Sequence, residues 1–255
     1  MTVETAARRA EAVERLYEVF GLVRRPARVE GCPHCVAPDE DRPLLDRPVR
    51  SLQPEDLARY AAKALSTWGA VGEFRYFVPR LLECAAHDAF IYPDPPIVFG
   101  KLAVAGWADW PEEERTAVGA FFTAWWADAL DRYPSRPDIG TTLCCLGATG
   151  VDLRAFLDAW GRLSTVAAIR HLHEFVVNHV RFTSPTRLTD AFWDVRSTGH
   201  GQVIAWLTGG RAATAVETAF DAESREDVLR LLDEVYPSLA PAEDHTEASE
   251  TDRGH

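Results

Sequence analysis

Cys32-Pro33-His34-Cys35 places two thiols three residues apart, and an acidic, proline-punctuated loop follows to Pro43. The C-x-x-C spacing lets two thiolates reach one tetrahedral zinc ion, which makes the pair half of a structural site. The other half is expected from Cys84 and His87, which at i and i+3 project from one face of a helix. Cys32, Cys35, Cys84 and His87 together would form a Cys3His clip joining an N-terminal loop to a helical core. Cys144-Cys145 are adjacent, an awkward geometry for one ion, and His34 lies inside the turn. In the competing reading Cys84 packs beside Leu81 and His87 is exposed. The C-x-x-C pair also suits redox chemistry, because the spacing can lower a thiol pKa. Thioredoxin-like chemistry calls for a strand–turn–helix setting, and no strand is expected before Cys32.

Histidines offer the second set of candidates. Arg170–His179 reads RHLHEFVVNH, with His171, His173, Glu174 and His179 in nine residues. On a helix His171 and His173 point about 200° apart, so they cannot share an ion there. His171 and His179 are two turns apart, and Val177 stands where an H-E-x-x-H motif would have its second histidine. His173 shares a face with Ile169, Val176 and Val180, which reads as a core histidine. His87-Asp88 resembles the metal-binding dipeptide of all-helical HD-type phosphohydrolases. That fold also needs an upstream histidine and a downstream aspartate on neighbouring helices, and the upstream histidine here, His34, falls in a loop. The nucleotide- and acyl-transfer signatures G-x-G-x-x-G, G-x-x-x-x-G-K-[ST] and G-x-S-x-G do not occur.

The elements that must position these groups read as helices. Leu57, Tyr60, Ala61, Ala64, Leu65 and Trp68 follow helical spacing behind Pro54-Glu55-Asp56, a sound first turn. Phe74 to Ala89 continues the pattern, but Pro79 lacks the N–H an interior position needs. The expectation is a short turn through Phe77 and a fresh helix from about Val78 to Ala89. Pro111 and three glutamates open the clearest helix, whose wide apolar face carries Val118, Phe121, Phe122, Trp125, Trp126, Ala129 and Leu130. Asp152 is expected to cap a helix through Trp160, and Ser164 to start another. Leu188, Ala191, Phe192 and Val195 mark a helix interrupted by Gly199-His200-Gly201, and two more surround Val203–Leu207 and Ala212–Phe220. Ser224 to Asp227 reads as a capping box. Pro95–Trp107 is the one ambiguous segment, and no β-strand is evident.

Leu57–Phe90 resembles a helical segment of uncharacterised bacterial proteins. In that family a Cys-Pro-X-Cys turn precedes a helix pair with a Phe-X-X-Phe-X-Pro-Arg centre, here Phe74 to Arg80. The segment is also similar to HEAT-type helix pairs, in which a proline opens the second helix. The resemblance spans roughly residues 30–110 and implies a helical fold, with no activity or catalytic residue to carry over.

Composition bounds the partners. The 255 residues are 47% hydrophobic and 26% charged, with a formal charge of −12. Such an acidic balance disfavours nucleic acid and anionic membrane as main partners, since both repel it at long range, and neither is expected. The N-terminus lacks a signal-peptide core and no 18-residue apolar run occurs, so a cytoplasmic protein with mostly reduced thiols is expected. Trp68, Trp125 and Trp160 fall on core faces, whereas Trp107, Trp110, Trp193 and Trp206 could rim a groove. The expected architecture is all-α, of stacked antiparallel helix pairs in a HEAT-like superhelix or irregular bundle. Residues 1–50 would form an N-terminal helix and cysteine loop, 51–239 the helical domain, and 240–255 a disordered acidic tail. The expected function is a non-enzymatic adaptor that binds a protein partner, with a zinc clip. The alternative is a metal-dependent hydrolase using histidines and carboxylates of Cys84–Asp88 and His171–His179.

Overall fold

A computed structural model describes residues 3–240; the acidic tail expected at 240–255 lies almost wholly outside the described residues. Among the described residues the elements are twelve α-helices, two short 3-10 turns (Val49–Ser51 and Trp107–Asp109) and one hairpin of two-residue strands. In order they are α1 (Val3–Phe20), the one-turn α2 (Arg42–Leu45), α3 (Pro54–Lys63), α4 (Val71–Ala86), α5 (Pro95–Val104) and α6 (Glu112–Asp131). There follow α7 (Ile139–Ala148), α8 (Arg154–Gly161), α9 (Val166–His179), the strands β1 (Val180–Arg181) and β2 (Arg187–Leu188), α10 (Thr198–Thr208), α11 (Arg211–Ala222) and α12 (Glu226–Leu239). The fold is all-α, as the periodicity predicts. No helix among the described residues is long and apolar enough to cross a membrane.

The central element is α6. Phe121, Phe122, Trp125, Trp126 and Ala129 are all buried, so its apolar residues face several neighbours rather than one. It packs against α1, α7, α8 and α9. Trp125 stacks on Phe99 of α5 at 4.8 Å, and Trp126 meets the edge of Trp160, which stacks in turn on Trp206 at 5.5 Å. Each such ring contributes about 1.5–3 kcal/mol by burial alone. The N-terminal segment shares this core through Leu16, Phe20, Val29 and Leu44. Because α1 lies on α6 and α12 on α9, contacts skip along the chain, as in an irregular bundle rather than a neighbour-only solenoid.

Several local expectations need correction. Helix α4 runs unbroken from Val71 to Ala86 with Pro79 inside it. An interior proline costs about 3 kcal/mol through the lost hydrogen bond and ring crowding; here the ring is buried among Phe77, Val78, Leu81 and Leu82, whose burial offsets that cost. Helix α3 stops at Lys63, and Leu65 adopts φ +65°, so Trp68 reaches the core from a turn rather than from the helix. Pro95–Val104 is helical. The segment around Leu188–Val195 is not a helix: it carries β2 and a loop, while α10 runs straight through Gly199-His200-Gly201, capped by the Ser197 hydroxyl 3.1 Å from the His200 N–H. Ser224 does not cap α12, which starts at Glu226.

Candidate functional site

The four expected zinc ligands fall in different settings. Cys32 and Cys35 sit on one turn, whose Cys32 carbonyl accepts the N–H groups of Cys35 and Val36, both at 2.9 Å. That turn is pinned to the chain after α3: Cys32 N–H donates to Thr67 O at 2.8 Å and Gly69 N–H to Glu30 O at 2.7 Å. Trp68 Nε1 adds a bond to Val29 O at 3.1 Å. Gly31 is required there, because a Cβ would meet Val36 Cγ2 at 2.6 Å. Cys84 is instead buried on α4, where desolvation raises its thiol pKa to about 11. His87 is exposed at the end of α4, its Nδ1 2.8 Å from the Glu83 carbonyl. Among the described residues no group of three or more His, Cys, Asp or Glu side chains is placed to hold a metal ion. The chain therefore does not gather Cys32, Cys35, Cys84 and His87 into one site. Spacing alone could not reveal that Cys84 faces the core while the cysteine turn is tied to the far end of α3.

The histidines of α9 also go separate ways. His171, not His173, is the core histidine: it is 1% exposed, with Nε2 3.0 Å from Ala129 O and 2.7 Å from Arg132 O. Two carbonyl acceptors make Nε2 the protonated nitrogen, and burial pushes the His171 pKa down. His173 reaches Glu234 of α12 at 2.6 Å, and His179 Nε2 lies 3.3 Å from Asp138. Three histidines thus have three different partners. Trp110 and Trp206 are core residues; Trp107 donates to Thr149 O at 2.9 Å, and Trp193 packs against Gly147, so the four do not form a groove.

Where charge does converge is a cleft that spacing did not indicate. A hollow of about 390 Å³ is lined by Asp88, Asp94, Asp138 and Asp190, with Ser135, Arg136, Thr141 and Phe192. Each carboxylate arrives on a different segment: the residue after the α4 cap, the approach to α5, the start of α7, and the loop after β2. Asp138 is partly committed, accepting the Thr141 N–H at 3.0 Å and its hydroxyl at 2.6 Å as the cap of α7. Gly140 lets His179 close over that cap, since a Cβ there would fall 2.7 Å from the imidazole. Asp190 accepts the Phe192 N–H at 2.8 Å. Asp88 stands in the left-handed region at φ +52°. Desolvation first, and then Asp138 and Asp94, raise its pKa against the opposing pull of Arg136. Ser135, 7% exposed, has a hydroxyl without a partner among the described residues. The chain between Asp88 and Asp94 leaves Ile91 and Tyr92 open to solvent, and Phe192 is also exposed.

No protein-family model, curated protein or solved structure matches this chain. The functional reading therefore rests on the geometry.

A second hollow of about 330 Å³ lies among Trp126, Leu130, Phe156, Ala159 and Ala168. Its Thr165 hydroxyl caps α9 by accepting the Ala168 N–H at 3.1 Å, and its lining carries one acid, Asp131, which accepts the Thr5 hydroxyl at 3.0 Å, and one arginine, Arg162. The carboxylate cleft has the stronger chemical character. It can stabilise a cation, above all one with an extended apolar or planar body that contacts Phe192.

Proposed function

We propose that the protein is a non-enzymatic binding module whose carboxylate cleft receives a basic segment of a protein partner. One observation carries this reading: carboxylates from four separate segments line one cleft and meet a single guanidinium there, Arg136. The fold holds these like charges close; burial first, and Asp138 and Asp94 after it, raise the pKa of Asp88. An arginine or lysine side chain entering the cleft relieves that repulsion, and an arginine fork suits two carboxylates at once. Ser135 adds an unmatched hydroxyl, and the exposed Ile91, Tyr92 and Phe192 supply apolar area for the residues flanking the cation. The net charge of −12 steers a basic partner toward the protein from a distance.

The test is fluorescence anisotropy with a labelled arginine-rich peptide and a scrambled acidic control at low and moderate salt. The arginine peptide is expected to bind, more weakly as salt rises. The paired change Asp88→Asn/Asp190→Asn is expected to weaken it about tenfold, each exposed pair being worth roughly 0.5–1 kcal/mol. Unchanged affinity in that variant, with the fold intact by circular dichroism, would remove the cleft from consideration.

A further inference from the structure

We propose that Cys32 and Cys35 form a reversible dithiol–disulfide site that exchanges with low-molecular-weight disulfides carrying negative charge. This stands apart from the carboxylate cleft and concerns the turn docked beside the chain that follows α3. The two thiols share one tight turn, and both are partly open to solvent. The backbone N–H groups of His34 and Cys35 and the Cys35 thiol lie where they favour the thiolate form of Cys32. Lys63 Nζ and an Arg59 guanidinium nitrogen both bond the Cys35 carbonyl, which brings positive charge to the same turn. Arg59 is also paired with Glu40, so Lys63 is the charged side chain that acts on the Cys32 sulfur, after the backbone N–H groups. Together these groups hold the Cys32 pKa below its ordinary value.

The other three thiols contrast with this in every respect. Cys84, Cys144 and Cys145 are buried, and desolvation raises the pKa of each. Reactivity belongs to the thiolate and to sulfurs a reagent can reach, so chemistry concentrates at Cys32. With no third ligand gathered among the described residues, the pair meets disulfides as two free thiols rather than as half of a closed zinc site.

The exchange balances in two steps. Cys32 thiolate attacks one sulfur of R–S–S–R; a protein–SR mixed disulfide forms and RS⁻ leaves, taking a proton from water. Cys35 then gives up its proton to solvent and attacks the Cys32 sulfur, forming the Cys32–Cys35 disulfide and expelling the second RS⁻. The protein loses two electrons and two protons, and R–S–S–R becomes two RSH. The Lys63 ammonium beside the turn favours an anionic R group, as in a carboxylate-bearing peptide disulfide.

The experiment titrates the full-length protein in glutathione buffers of graded oxidised fraction, quenches with an alkylating agent, and maps each cysteine by peptide mass. Two thiols, Cys32 and Cys35, are expected to oxidise together and to return on adding reduced glutathione, while Cys84, Cys144 and Cys145 stay reduced. Cys35→Ser is expected to stop at a glutathione adduct on Cys32. Cys32→Ser is expected to form its adduct on Cys35 more slowly, by roughly threefold or more, because thiolate fraction rises faster with a lowered pKa than nucleophilicity falls. Lys63→Gln is expected to slow oxidised glutathione more than the uncharged hydroxyethyl disulfide. Folded protein whose Cys32 and Cys35 stay reduced in fully oxidised buffer would overturn the proposal. So would a tightly held zinc ion that protects both thiols, or equal adduct rates in the two single variants.

Discussion

His87 and Asp88 are adjacent, yet they border two clefts of opposite electrostatic design. On the His87 side, Arg9 and Arg132 enclose Asp128, which is 1% exposed. Arg9 donates to Asp128 at 2.9 Å and to the Ala86 carbonyl at 3.0 Å, and Arg132 closes the third side. On the Asp88 side, four carboxylates face one arginine. The first cluster joins α1, α4 and α6 and is already matched in sign, as a structural joint should be. The second leaves four like charges together at the surface with a single guanidinium, Arg136, among them. Polar groups arranged for folding are paired within the molecule; an unmatched set is the better place to look for a ligand.

The largest expected effect tests the matched side. Asp128→Ala would leave two buried or half-buried guanidiniums without their shared partner, and losing one member of a buried pair costs about 3–5 kcal/mol. Urea denaturation should show this as a lower midpoint at unchanged slope. Asp88→Asn on the other side should leave the midpoint unchanged or raise it slightly. If the two variants lose stability equally, the distinction between joint and binding cleft fails.

Next comes the wall between α7 and α9. Gly140→Ala would force a methyl into the His179 ring, and overpacking of this kind costs about 1–3 kcal/mol. Because His179 leans on Asp138, the same change should also weaken cation binding in the cleft. Gly72→Ala, at a helical position where a Cβ meets nothing within 4 Å, is the control expected to leave peptide affinity unmoved and stability unchanged or slightly raised. A Gly140→Ala variant with native stability and native peptide affinity would show that the cap and the cleft are not connected.

How much of this was legible beforehand follows from the range over which each signal acts. The wide apolar face of α6 is written in consecutive turns, and the structure buries Phe121, Phe122, Trp125 and Trp126 as expected. The α3 start was equally local: the Gln53 N–H donates to Asp56 at 3.0 Å. Pro79 misled because a propensity argument ignores the burial that compensates for it. On α9 the Ile169–His173–Val176–Val180 line was the edge of the buried face, whose centre is Ala168, Leu172 and Phe175. A shift of one residue in phase exchanged His171 for His173. Cys32 and Cys35 were visible as a pair, but their separation from Cys84 depends on how the turn docks beside Thr67. The carboxylate cleft was invisible for the same kind of reason. Asp88 and Asp190 are about a hundred residues apart, and no pattern short of the packed fold joins them.

The smallest effect expected is also the most direct measure of the unmatched charge. Asp88 has a raised pKa in the folded chain, so its contribution favours the fold fully below the unfolded value and is lost as pH rises through the folded one. Solvent screening at this partly open position limits the gain from Asp88→Asn at neutral pH to about 0.2–0.5 kcal/mol. Cation binding runs with the opposite sign. A bound guanidinium favours the ionised carboxylate, so affinity should fall as pH drops through the Asp88 titration, with proton uptake on release of the peptide. Arg136, Asp94, Asp138 and Asp190 face the same cleft, and His179 backs Asp138, so the pH series must be repeated in Asp88→Asn and His179→Gln. If the acid-side loss of affinity vanishes in Asp88→Asn and persists in His179→Gln, the strained carboxylate is the group that reads the ligand. If it persists in both, the repulsion is shared among the other carboxylates, and Asp88 holds no special place in the cleft.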